Sequence, residues 1–346
     1  MKLMVIDAPG LKSFVGKLLG VYPVVGVKSY PGDEQHFKFG ELANADELRL
    51  DFDVTVQSPK KLFLPPKETL LHFKYGTAQV EAEDVNIAPF VLIGVHPYDM
   101  VALNQLDRVM NEGNPDELYL KRRNAAIIIG VDPVKAGKRA FWGAMGNWKV
   151  AEGYDIWLTD IGGKYVVEAA SAKGEELLSK FAGAKDASAD DAKKRDAARA
   201  KLSALGTTVD VKFKPEELPE LLRGNFEHPV FEEKAKSCYS CGTCNLVCPT
   251  CYCFDVQDAM AVSMKEGTRA RIWDGCLLEE FASVGSGENF REHRSQRFRH
   301  RIFRKGMYLF DKVGDIACVG CGRCSSACLP DIADPVNVYN TLKEGK

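Results

Sequence analysis

The chain has 346 residues, long enough for two or three domains with cores of their own. Its 46 Lys and Arg against 48 Asp and Glu leave a net charge of −2, which excludes a surface built as a whole to seek nucleic acid. Hydrophobic residues make up 45% and charged residues 27%, as in ordinary soluble globular proteins. The longest nearly unbroken apolar stretch, Leu18 to Val27, is about half of a membrane span, and no basic stretch followed by an apolar run and a cleavage site opens the chain. A cytoplasmic protein without a membrane partner is expected.

Residues 1–183 alternate strand and helix signals. Strands are expected at Leu3–Ile6, His36–Phe39, Val91–Val95 and Ala126–Val131, followed by Asp155–Asp160 paired with Tyr165–Glu168 across the turn Ile161-Gly162-Gly163. Helical spacing of apolar residues marks Leu11–Leu19, Asp99–Met110 and Glu175–Phe181. The pattern predicts an α+β domain without internal repeats. No Gly-rich turn of the dinucleotide or phosphate-cradling type occurs in it, so no nicotinamide or flavin site is legible, and His96 reads as a hydrogen-bonded loop residue.

Residues 184–225 read as a charged linker and a short helix. Ala, Lys, Asp and Arg dominate Ala184 to Ala204, which suits a solvated helix, and Pro215–Arg223 begins with a proline suited to a helix start. Residues 226–346 hold every cysteine, in two runs with the Cys-x2-Cys-x2-Cys-x3-Cys spacing of two-cluster ferredoxins, and are expected to form a mainly helical ferredoxin-like domain. The 69 residues from Pro249 to Ala317 enlarge it beyond a minimal ferredoxin, and Val256–Met264 has helical spacing.

All eleven cysteines lie between Cys238 and Cys328, which fits metal ligation in a reducing compartment better than a disulfide framework. Two runs stand out: Cys238-x2-Cys241-x2-Cys244-x3-Cys248-Pro249 and Cys318-x2-Cys321-x2-Cys324-x3-Cys328. In two-cluster ferredoxins three closely spaced thiolates hold one 4Fe-4S cubane and the fourth serves the other cubane. Crossed ligation is therefore expected: Cys238, Cys241, Cys244 and Cys328 for one cluster, and Cys318, Cys321, Cys324 and Cys248 for the second. Structural zinc competes with this reading but takes four ligands in separated pairs. Cys244-x3-Cys248-x2-Cys251 also matches the spacing of radical S-adenosylmethionine enzymes, yet only 95 residues follow it, too few for their barrel. Cys251, Cys253 and Cys276 are left over, either as small buried residues or as an additional metal site.

Residues 291–305 hold seven Arg or Lys against one Glu, a local charge of +6. Arg297, Arg299 and Arg301 are the candidates for tuning anionic clusters or docking a partner. The rival from another class is a zinc-stabilised nucleic-acid-binding protein using this basic run.

The chain resembles the iron–sulfur family of the sulfhydrogenase beta subunit and the A subunit of anaerobic sulfite reductase. The resemblance rests on the stretch Cys238–Cys253, on Trp273-Asp274-Gly275-Cys276, on Arg297-Phe298-Arg299-His300-Arg301 and on Cys318–Cys324. Upstream it includes Phe63-Leu64-Pro65-Pro66-Lys67-Glu68 and Gly94-Val95-His96-Pro97-Tyr98-Asp99. It implies a subunit, with no recognisable active site of its own, that passes electrons between a flavoprotein binding FAD and NAD(P) and a catalytic subunit. The complex would be a cytosolic anaerobic oxidoreductase of hydrogenase, sulfite reductase or heterodisulfide reductase type. Cys251, Cys253 and Cys276 belong to the family pattern. The chain departs from it at Tyr98, where sulfhydrogenase relatives carry a cysteine, and at Leu329, which separates Cys328 from Pro330.

Overall fold

The computed structural model describes residues 3–345. Long apolar runs become strands buried on both faces. Eight strands form one sheet: β1 (Leu3–Asp7), β2 (Val24–Tyr30), β3 (Asp33–Glu41), β6 (Phe90–Val95), β7 (Ala126–Val131), β8 (Ile156–Asp160), β9 (Lys164–Ala169) and β10 (Lys185–Asp186), in the order β10-β1-β9-β8-β7-β6-β2-β3. Neighbours among β2, β6, β7 and β8 are parallel, and the outer pairs are antiparallel. The expected α+β domain thus has a parallel centre, which needs covering on both faces. Alternation supplies the two faces. Val91, Ile93, Ile127 and Ile129 pack with Phe14, Val15 and Leu18 of the helix Ala8–Leu19, whereas Leu92 and Ile128 pack with Met100, Leu103 and Leu106 of the helix Pro97–Met110, joined there by Val95 after the irregularity at Gly94. Gly130 is required where it stands, because a Cβ there would lie 2.1 Å from the Trp157 ring.

The charged segment after residue 184 forms the helix Ala189–Ala200, capped by Ser188 and Asp191. No residue of this helix is buried, and it rests on the sheet through Arg195 to Glu168 at 2.9 Å and Arg199 to Asp132 at 2.9 Å. Its polar composition is explained by that ion-paired contact.

A second sheet corrects the expectation for Val256–Met264. Phe254–Met260 is strand β11, paired residue by residue with β12 (Glu266–Trp273) from Phe254↔Trp273 to Met260↔Gly267. Strand β12 in turn pairs with β4 (Lys67–Lys74), and β4 with β5 (Val80–Ala82). Pairing overrides the helical spacing because β12 is anchored from outside: buried Arg271 donates to Glu68 Oε2 at 2.6 Å and also binds Asp116. Residues 226–346 are therefore not helical throughout, and their hairpin completes a sheet begun in the N-terminal half. The helices of this part, Val230–Lys236, Arg294–Phe303 and Pro335–Glu344, share a core with Phe231, Phe298, Ile302, Phe303, Val338 and Tyr339. Among the described residues no helix is long and apolar enough to cross a membrane.

Candidate metal centre

Each cysteine run curls through a left-handed glycine into a one-turn helix. Gly242 (φ 71°) precedes Thr243–Leu246, and Gly322 (φ 78°) precedes Arg323–Ser326. At Gly322 a side chain would also strike the Arg139 carbonyl, 2.5 Å from the site of a Cβ. These turns aim the thiols inward at two cavities. The first is lined by Cys238, Cys241, Cys244 and Cys328, with Leu277, Phe298 and Ile332. The second is lined by Cys248, Cys318, Cys321 and Cys324, with Phe141, Val319 and Pro335. Each cavity thus takes three thiols from one run and one from the other. All eleven cysteines are free thiols. Four soft sulfur donors around an apolar cavity that no carboxylate lines form a donor set suited to an iron–sulfur cluster.

The electrostatics favour negative charge in these cavities. Arg301 lines the second cavity, is 1% exposed, and its Nη2 donates to the Cys244 carbonyl of the first set at 3.4 Å. Its Nε and Nη1 are buried and have no hydrogen-bond partner among the described residues. Lys305, also buried, donates to Thr250 Oγ1 at 2.8 Å, and that hydroxyl donates to the Ala317 carbonyl at 2.8 Å. Buried Lys60 donates to the carbonyls of Cys248 at 3.1 Å and Cys251 at 2.8 Å, and sits over the Trp273 ring. Arg301, Lys305 and Lys60 have no carboxylate partner among the described residues, so thiolates or a bound anion must balance them. Burial pushes the Cys244 thiol up to about 12, with Arg301 opposing it, and pushes Cys321 up to about 12, with Arg323 opposing it. Cys248 is held low by a hydrogen bond from the Cys251 thiol. Burial thus opposes ionisation of Cys244 and Cys321, while the buried cations beside them favour it, and a cationic iron core would stabilise their thiolates.

The basic run divides by face. Arg297 is buried and ties the carbonyls of Arg291 and Glu292 to Ser240 beside the first cavity. Arg301 and Lys305 point inward, whereas Arg299 stacks on Phe226 and reaches Glu227 away from both cavities. A run whose buried cations face sulfur is not a free basic face for nucleic acid.

Several contributors carry no clear mark in the sequence. Lys60 lies 188 residues before one of its carbonyl partners. Arg323 sits between two cysteines, a visible hint, but its bidentate bond to Asp99 at 2.6 Å and its bonds to Thr55 reach across the fold. Tyr98, at the point of family departure, is buried beside this pair and hydrogen-bonds His96 at 2.9 Å. His96 stands between β6 and the helix Pro97–Met110 as the expected hydrogen-bonded loop residue, stacks on Phe52, and is held down to about 3 by burial. Two of the remaining cysteines meet at Asn245, whose Nδ2 donates to Cys276 Sγ at 3.3 Å and to Cys251 Sγ at 3.8 Å. The carbonyl of Cys253 accepts from the Asp274 amide at 3.1 Å.

Comparison with known proteins agrees with this geometry. The 4Fe-4S dicluster domain family matches residues 237–332. Sulfhydrogenase 2 subunit beta of Pyrococcus furiosus is 33% identical over 313 residues, covering 89% of this chain and 90% of that protein. No solved structure matches the chain. Fold, thiol cavities and likeness together define an iron–sulfur electron-transfer subunit of an oxidoreductase. The chain belongs to the iron–sulfur beta-subunit family of the sulfhydrogenases.

Proposed function

We propose that the chain holds two 4Fe-4S clusters with crossed ligation, Cys238, Cys241, Cys244 and Cys328 on one and Cys248, Cys318, Cys321 and Cys324 on the other. The observation that carries this reading is the pair of cavities, each lined by three thiols of one run and one of the other. The clusters supply one-electron storage; the protein supplies access and charge. Cys241 is exposed and Tyr239 beside it is 66% exposed, so the first set offers an edge to a partner. The second set lies deeper, beneath Arg301 and Lys305, and Arg301 touches both. Fixed cations there favour the more negative, reduced state and set the potentials with the amide donors around the sulfurs.

The partners are a flavoprotein subunit carrying FAD and NAD(P) and a catalytic subunit. The relative named as a sulfhydrogenase subunit favours a hydrogenase-type complex over the sulfite reductase and heterodisulfide reductase types. Iron and acid-labile sulfide analysis of anaerobically purified protein tests the cluster assignment: about eight iron atoms in two full cubanes are expected at these eight thiols. Stoichiometric zinc without labile sulfide overturns it. Purification of the native complex identifies the partners, and an isolated chain that oxidises NAD(P)H as fast as the complex contradicts the relay role.

A further inference from the structure

The eight-stranded sheet carries a cleft that belongs to neither thiol cavity. It measures about 640 Å³, within the range of small-molecule sites, and is walled by Trp148, Tyr154, Trp157 and Leu202, with Lys149 and Arg199 as its cations. The loop before β8, β8 itself and the helix Ala189–Ala200 assemble it, which is why no local motif announces it.

Buried Asp132 holds the walls in place. Its carboxylate accepts from Trp157 Nε1 at 2.8 Å, Thr159 Oγ1 at 2.6 Å and Arg199 Nε at 2.9 Å. Tyr154 meets Trp157 at a steep angle, with ring centres 4.6 Å apart. The polar groups left over are donors. Arg199 uses Nε and Nη2 on Asp132 and Glu168, which leaves Nη1 without a partner among the described residues. Exposed Lys149 lies 4.2 Å from the Trp148 ring centre and has no carboxylate partner among them. The Tyr154 hydroxyl and the Trp148 indole N–H likewise make no hydrogen bond among the described residues. Asp196, a carboxylate at the rim, is already bonded to Arg195. Aromatic walls with free donors and two cations suit a flat heteroaromatic ring that presents acceptors and carries an anionic group.

The cleft shares a wall with the second thiol cavity. Phe141 lines that cavity and Trp148, further along the same segment, lines the cleft. Between them Trp142 packs in one core with Tyr98, Leu202, Val319 and Cys321, and Trp148 packs against that core. Gly320, inside the second cysteine run, lies so close that a Cβ there would be 2.5 Å from the Trp142 amide nitrogen. A single layer of side chains therefore separates the cleft from the thiols of the second set.

We propose that the cleft binds a ligand of the flavin mononucleotide class, with its ring against Trp148 and Tyr154 and its phosphate toward Lys149 and Arg199, and that this ligand exchanges electrons with the second cluster. An oxidised flavin ring presents carbonyl oxygens and unprotonated nitrogens, which match the free donors. Each reduced cubane gives up one electron; two such electrons convert the oxidised ring to its two-electron reduced form, and solvent supplies the protons through the open cleft. Binding stands on the cleft alone, whereas the electron exchange rests on the reading of the chain as an iron–sulfur relay.

The test is equilibrium dialysis of the full chain, purified anaerobically with its clusters, against flavin mononucleotide and separately against adenosine monophosphate. The flavin should bind more tightly than about 1 mM and more tightly than the adenine nucleotide. Trp148→Ala should weaken it by about tenfold or more and Lys149→Ala by about two- to fivefold, with the iron content of both variants as in the wild type. After chemical reduction and removal of excess reductant, the bound flavin should bleach at one flavin per two reduced cubanes. No binding at about 1 mM, or binding indifferent to Trp148→Ala, overturns the site. Adenosine monophosphate bound as tightly as the flavin overturns the ligand class, and a bound flavin that stays oxidised beside reduced clusters overturns the electron exchange. Protein without labile sulfide contradicts the relay reading and the exchange together, and the dialysis still decides the site.

Discussion

The parallel centre of the large sheet and the cysteine region are built on opposite principles. Strands β6 and β7 bury apolar side chains on both faces against two helices, and their stability is that of hydrophobic burial. The cysteine region buries Arg301, Lys305 and Lys60 beside thiols, with no carboxylate partner among the described residues. One region is held by apolar burial; the other sets buried cations against sulfur. One chain thus joins an apolar scaffold to a charged, sulfur-lined lobe through the sheet β11-β12-β4-β5.

The strongest way to break this contrast is to remove the metal. Anaerobic chelation of iron should strip hydrogen-exchange protection from Val230–Lys236, Arg294–Phe303 and Pro335–Glu344 while β6 and β7 keep theirs. Uniform protection after chelation would show that the lobe is as self-sufficient as the sheet.

The junction comes next. Arg323 and Asp99 form a buried pair between the second cysteine run and the helix Pro97–Met110. Asp99→Asn leaves the guanidinium uncompensated and should destabilise the protein by about 3–5 kcal/mol in chemical denaturation. A loss below about 1 kcal/mol would mean that water or a cluster already balances Arg323.

On the scaffold side, Ile128→Ala should cost about 2–5 kcal/mol without altering visible cluster absorption. Arg301→Gln should do the reverse, with little change in denaturation of the sheet and lower reduction potentials at both ferredoxin-like clusters, since Arg301 lies against both sets. The smallest effect belongs to Arg299→Ala, about 0.5–1 kcal/mol from its stacking on Phe226, with no change in either potential.

Much of the scaffold was legible because its physics is local. The apolar runs at Val91–Val95 and Ala126–Val131 could be read as strands, and Ile161-Gly162-Gly163 as the turn between β8 and β9. Strand β11 was not, because its residues are exposed and its partner β12 is held by Arg271 and Glu68, 203 residues apart. The cysteine spacing names the thiols that line each cavity, since the wrapping of a run is also local. Lys60 and the Asp99–Arg323 pair could not be found that way; their meaning lies in long-range contacts that leave no periodicity.

The most direct test of the crossed arrangement is Cys328→Ser in anaerobic protein, with the two ferredoxin-like clusters resolved by their paramagnetic spectra. Cys328 follows the second run in sequence but lines the cavity of the first. The account predicts that the spectrum of the cluster held by Cys238, Cys241 and Cys244 changes and that of the cluster held by Cys318, Cys321 and Cys324 is preserved. A change confined to the latter would contradict it.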